Sequence, residues 1–137
     1  MQLSNTSKYA VRILSFIASA ADTKLQNSKN IAEQLEIPYK FLTKIMTELV
    51  KLEFVISIRG RDGGFKLAKE ASEITILEIL NGFNEFAHYH DCILGMGACN
   101  PHNKCSLHDK WIEPKKMIKK MFEETTLVNM DVANFKI

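Results

Sequence analysis

No run of apolar residues in this chain is long enough to cross a bilayer, and the opening Met1-Gln2-Leu3-Ser4-Asn5 has neither the basic nor the apolar region of a secretory signal. A cytoplasmic protein without membrane contact is therefore expected. Cysteine is scarce: there are three, none in a Cys-x-x-Cys pair, and an odd set in a reducing compartment argues against disulfide staples. Also missing are a His-Glu-x-x-His helix, a nucleophile elbow, a Gly-x-Gly-x-x-Gly turn and a Gly-Lys-Ser/Thr ending, the usual marks of metal hydrolases, esterases and nucleotide binders. No enzyme and no small-molecule substrate are expected; a thiol oxidoreductase is the weakest alternative.

What is present is ordinary in amount and uneven in placement. With 46% hydrophobic and 25% charged residues, the composition is that of a folded globular chain, and 137 residues suffice for one domain carrying a helical appendage. Residues 1–70 hold eleven Lys or Arg against seven Asp or Glu, whereas residues 71–137 hold seven against nine. The basic excess is N-terminal, which suits phosphate contact without requiring it.

Ser7 can cap a first helix whose apolar face is Ala10, Ile13, Leu14, Ile17 and Ala21. A Ser28 cap predicts a short second helix with Ile31, Ala32 and Leu35 inward, and Pro38 suits the first turn of a third helix carrying Leu42, Ile45, Met46, Leu49 and Leu52 inward. The opposite face of that third helix holds Tyr39, Lys40, Thr43, Lys44, Thr47 and Lys51. This is the layout of a helix-turn-helix whose second helix enters the major groove of duplex DNA. Phe54–Arg59, a turn at Gly60–Gly64 and Phe65–Leu67 then read as a β-hairpin, placed as a wing with Arg59 and Arg61 available to phosphate. The expected fold is mainly α with a small β-hairpin: a winged helix-turn-helix domain over residues 1–70, followed by residues 71–137.

In the second half, Thr75 and Glu78 form a Thr-x-x-Glu capping box with Ile74 and Ile79 set for a hydrophobic staple, so a helix should start near Ile76. Next comes a loop, about residues 88–108, holding Cys92, Cys99, Cys105 and, three positions later, His108. Three thiolates and an imidazole interleaved with glycine and proline suit a metal or iron-sulfur site. Zinc or free thiols, with control by a protein partner, are the other readings. His88, His90 and His102 are expected to be polar loop residues, with His90 a reserve ligand. Leu107, Trp111, Ile118, Met121, Phe122 and Thr125 then recur at helical spacing, with Pro114 expected to kink that helix or to start its second part. So apolar a stripe on a small arm predicts a long dimerisation helix and a homodimer.

Taken together, Leu3-Ser4, Tyr9-Ala10, Ile31-Ala32 through Ile37, Phe41-Leu42, Arg59-Gly60, Gly63-Gly64-Phe65 and the three cysteines resemble the bacterial winged-helix regulators of the IscR and NsrR family over nearly the whole chain. The resemblance implies a dimeric transcriptional regulator, often a repressor, that senses cluster status, redox state or nitric oxide through one iron-sulfur cluster per subunit. It implies Cys92, Cys99 and Cys105 as cluster ligands with His108 as the fourth, and adds Phe41 to the DNA-contacting set of Tyr39, Lys40, Thr43, Lys44, Arg59 and Arg61. Lys8 stands where the nitric oxide sensors carry an acidic ligand, which favours a 2Fe-2S cluster over 4Fe-4S. Thr43 and Lys44 replace the usual recognition-helix pair, so the operator does not carry over.

Overall fold

The computed structural model describes residues 2–20, 25–87 and 91–130. Three helices come first: α1 (Asn5–Ser19), α2 (Ser28–Leu35) and α3 (Tyr39–Lys51). Their apolar stripes meet in one core, where Ile13, Leu14, Ile31, Leu42, Met46 and Leu49 are all buried. The helix starts differ by a few residues from the sequence expectation. Ser4, not Ser7, is the N-cap of α1 and accepts from the Ser7 amide, while Asn27, not Ser28, caps α2 through the Asn30 amide. Ser7 itself is fully buried one turn inside the helix. Of the predicted α1 stripe, Ala21 lies outside the described residues.

The turn from α2 to α3 is closed by the Ile37 amide donating to Ala32 O at 3.0 Å, with Glu36 in the left-handed region at φ 53°. Pro38 stands immediately before α3 as its N-cap residue, where a missing N–H costs nothing.

The hairpin forms as expected, from β1 (Val55–Ile58) and β2 (Gly64–Leu67), antiparallel, with Val55 opposite Leu67 and Ile58 opposite Gly64. Gln26 adds a third, single-residue rung: it exchanges two backbone hydrogen bonds with Phe65, at 3.1 and 2.8 Å. Gly64 permits this approach, since a Cβ there would sit 2.8 Å from Gln26 O.

Beyond the hairpin, α4 (Ile76–Gly82) starts with the expected capping box of Thr75 and Glu78, and Ile74 and Ile79 are both fully buried. The last helix, α5 (His108–Glu124), continues through Pro114. Pro114 and Lys110, four residues before it, both lie on the exposed side, so the carbonyl left without a helical donor can be hydrated.

The end of α5 returns to its own subunit. Ile76 N donates to Thr125 O at 2.9 Å, Leu127 N donates to Ile74 O at 3.1 Å, and Leu127 is buried in the core. Phe122 meets Phe86 edge to face at 5.9 Å. The predicted apolar stripe is therefore divided: Phe122 packs against the subunit's own core, while Met121 remains 53% exposed, beside Met117, which the stripe did not include, at 68%. No helix of the described residues is long and apolar enough to cross a membrane.

Candidate functional site

Two surfaces carry chemistry. The first is the start of α3. Burial of Leu42, Ile45, Met46 and Leu49 turns the opposite side of the helix outward, and Lys40 and Lys44 are exposed there. Tyr39 and Phe41 are large apolar side chains left 58% and 57% exposed in the first turn. Thr43 Oγ1 donates to Lys40 O at 3.1 Å and Thr47 Oγ1 donates to Thr43 O at 2.9 Å, so both hydroxyl protons are held by the helix's own carbonyls. At the hairpin tip Arg59 and Arg61 are exposed, beside a turn in which Gly63 N donates to Gly60 O at 3.0 Å. A Cβ on Gly63 would lie 2.1 Å from Ile58 O, so only glycine closes this tip.

The second surface is the cysteine loop. Asp91 and Ala98 pair as an isolated bridge, and Cys92 N donates to Gly97 O at 2.6 Å while Gly95 N returns to Cys92 O at 2.9 Å. This small loop needs left-handed backbone at Gly95 and Gly97, with φ of 74° and 89°. It aims amide groups at sulfur: Leu94 N lies 3.4 Å from Cys92 Sγ. Hydrogen bonds from the Leu94 and then the Met96 amide hold the Cys92 thiol below its ordinary pKa, with smaller contributions from the Cys105 and Cys99 thiols against the effect of desolvation.

His108 begins α5, and its amide donates to Cys105 O at 3.1 Å. Unlike the loop around it, it is only 7% exposed. Cys92, Cys99, Cys105 and His108 all line one cavity of about 400 Å3. All three thiols are free and half-buried. Among the described residues no three His, Cys, Asp or Glu side chains converge on a point that a single ion would occupy. His102 is an exposed loop residue whose amide donates to Asn100 Oδ1, and Lys8 lies on α1 outside the lining of this cavity. His88 and His90 lie outside the described residues.

Sequence reasoning missed Glu85. Its carboxylate accepts from Ser4 N at 2.7 Å, Ser4 Oγ at 2.8 Å and Ser7 Oγ at 2.5 Å, tying the end of α4 to the start of α1. Partial burial raises its pKa, but the Ser7 and Ser4 hydrogen bonds and the Lys8 charge outweigh this and leave it lowered. Glu85 also shares a cavity of about 290 Å3 with Leu3, Cys92, Ile93 and Trp111. The cysteine loop and the N-terminus of α1 thus face one space. No local pattern announces Glu85, because its partners lie about eighty residues away.

Comparison with known proteins agrees with this geometry. The Rrf2 family, described as iron-dependent transcriptional regulators, matches residues 3–131. The regulator NsrR of Oceanobacillus iheyensis is 39% identical over 133 residues, covering 95% of this chain and 89% of its own. Among solved structures, IscR of T. potens superposes with a TM-score of 0.75 at 21% identity, over 100% of this chain and 93% of its own. CymR, the global cysteine regulator of B. subtilis, also gives a TM-score of 0.75 at 21% identity, over 100% of this chain and 99% of its own. At that identity the two structures speak for the winged-helix fold alone. The chain belongs to the Rrf2 family of iron-dependent transcriptional regulators and is a DNA-binding regulator, not an enzyme.

Proposed function

We propose that this chain is a cytoplasmic, homodimeric regulator that holds an iron-sulfur cluster through Cys92, Cys99 and Cys105, with His108 as fourth ligand, and that the state of the cluster changes its affinity for an operator. The observation that carries the reading is the gathering of three thiols and one buried imidazole around a single cavity. The donor set fits: soft thiolates suit iron, an amide aimed at Cys92 Sγ stabilises the charged sulfur, and the cavity is wider than one tetrahedral ion needs. When bound, a cluster would supply redox and ligand-exchange chemistry that small oxidants can reach. The chain's own residues supply the rest. Gly95 and Gly97 let the loop wrap, and His108 fixes the loop to the first turn of α5.

Tyr39, Lys40, Phe41, Thr43, Lys44, Arg59 and Arg61 form the proposed DNA surface, because all lie on the outward side of α3 or at the hairpin tip and bring four cations to it. Dimerisation is supported by Met117 and Met121 and by an almost wholly apolar groove between α1 and α5, lined by Leu3, Val11, Ile76, Phe122 and Met130 among others. Two copies would set their recognition helices against half-sites about 34 Å apart.

Anaerobic purification with absorption and electron paramagnetic resonance spectra, iron and sulfide counts, and a His108→Ala variant tests the cofactor. A 2Fe-2S signature that the variant alters is the expected outcome. Colourless protein with stoichiometric zinc or three titratable thiols would overturn it, leaving a thiol- or partner-controlled regulator of the same fold.

A further inference from the structure

The outward surface of α3 offers an uncommon set of groups to a base pair. Tyr39–Lys51 contains no Arg, Asn, Gln or Asp, so the forked donors and paired amide groups that identify guanine and adenine in the major groove are absent from it. Its single acid, Glu48, is in the third turn, whereas base contacts come from the N-terminal turns of such a helix. The threonine in these turns, Thr43, has given its hydroxyl proton to Lys40 O, so it offers the groove a methyl group and an acceptor oxygen but no donor. Phe41 is a large apolar side chain left 57% exposed in the first turn. Lys40 and Lys44 are flexible point charges, suited to phosphate rather than to planar base edges.

We propose that α3 identifies its operator through the 5-methyl groups of thymines, contacted by the Phe41 ring and by the methyl group of Thr43, with Lys40 and Lys44 on the flanking phosphates. The inference rests on the reading of α3 as the helix that enters the groove and adds what it reads there. Thymine is the base that presents an apolar group in the major groove, and apolar side chains discriminate by burying it. Specificity of this kind is built from several modest contacts, so the half-site should carry several thymines within the reach of the first two turns of α3.

The test uses the full chain as isolated. Operators are enriched from a random duplex pool, and each thymine of the enriched site is then replaced singly by uracil, which removes the methyl and keeps the pairing hydrogen bonds. Binding is measured by fluorescence anisotropy for the unaltered chain and for Phe41→Ala and Thr43→Ser, the serine preserving the hydroxyl bond to the helix. One to three uracils per half-site should each weaken binding about fourfold, the equivalent of one buried methyl group. The same uracil should cost nothing further in the variant that has lost the matching contact. Unchanged thermal unfolding of Phe41→Ala, whose ring is exposed, shows that the loss is in binding. If every uracil is tolerated while 7-deazaguanine at a guanine costs tenfold or more, α3 reads hydrogen bonds through its lysines; the inference then falls and the DNA reader stands. If no sequence is enriched at all, both fall together.

Discussion

Replacing Glu85 by alanine removes one carboxylate that accepts three hydrogen bonds from the first turn of α1. The bond from Ser7 matters most, because Ser7 is fully buried and its hydroxyl would lose its charged acceptor, retaining only the 3.1 Å contact with Ser4 Oγ. A buried hydroxyl deprived of its acceptor costs about 1–3 kcal/mol, and the two more exposed bonds from Ser4 add about 0.5 kcal/mol each. We expect Glu85→Ala to lower the free energy of unfolding by about 2–4 kcal/mol in urea titrations at pH 7. The effect carries a pH signature. Because the folded pKa is lowered, the carboxylate's contribution is fully present above the ordinary glutamate value of about 4.3 and is lost as pH falls through the lowered folded value. The unaltered chain and the variant should therefore differ by a constant amount from pH 7 down to about pH 5 and converge below it. A difference under about 0.5 kcal/mol at pH 7, or one that does not shrink in acid, refutes the assignment of Glu85 as the clamp.

Three further outcomes are expected. Glu36→Gly should stabilise the chain by about 1 kcal/mol in thermal or urea unfolding, since a left-handed φ of 53° strains a residue with a Cβ and suits glycine. Gly64→Ala should destabilise it by more than 1 kcal/mol and expose the Phe65 amide to hydrogen exchange, because the added Cβ meets Gln26 O at 2.8 Å and breaks the third rung of the wing. Lys44→Gln should leave unfolding unchanged and reduce the slope of log affinity against log salt by about 0.9 if it neutralises one phosphate, as anisotropy titrations over a range of salt would show.

Local chemistry in this chain was legible where its partners were local. The Thr75–Glu78 capping box and the hairpin depend on residues a few positions apart, and both form as their spacing implies, while Ile74 and Ile79 are both buried. The start of α1 was misplaced by one turn because Ser4 and Ser7 are equally good caps by type. Glu85 accepts from both hydroxyls; Ser7 lies buried in the first turn while Ser4 accepts from its amide as the cap, a long-range arrangement that local spacing does not carry. The α5 stripe was legible as apolar but not as divided. Its inward part is set by the backbone bridge between Thr75 and Thr126, a pairing of residues fifty-one apart that leaves no periodic trace. At the cysteine loop, residue types alone suggest the proposed site, whereas the burial of His108 follows from its place in the first turn of α5.

That placement bears on how a sensing loop would act on a DNA reader. Cys92 and His108 stand at the two ends of the loop, one facing the cavity it shares with Leu3 and Glu85, the other at the first turn of the helix whose far end is sewn to α4. A rearrangement of the loop would therefore meet the winged core at two places: across the cavity it shares with Glu85, which holds the N-terminus of α1, and at the α4 cap through the Thr125–Leu127 segment. From α1 a physical link leads on to the recognition turn, because Arg12 donates to Leu35 O at 2.8 Å, at the last residue of α2. In the proposed regulator, the Glu85 clamp, α1 and the Arg12–Leu35 bond would be the elements between loop and reader. In the proposed dimer, a small rotation of α1 would thus be enough to change the separation of two recognition helices that must meet half-sites at a fixed spacing.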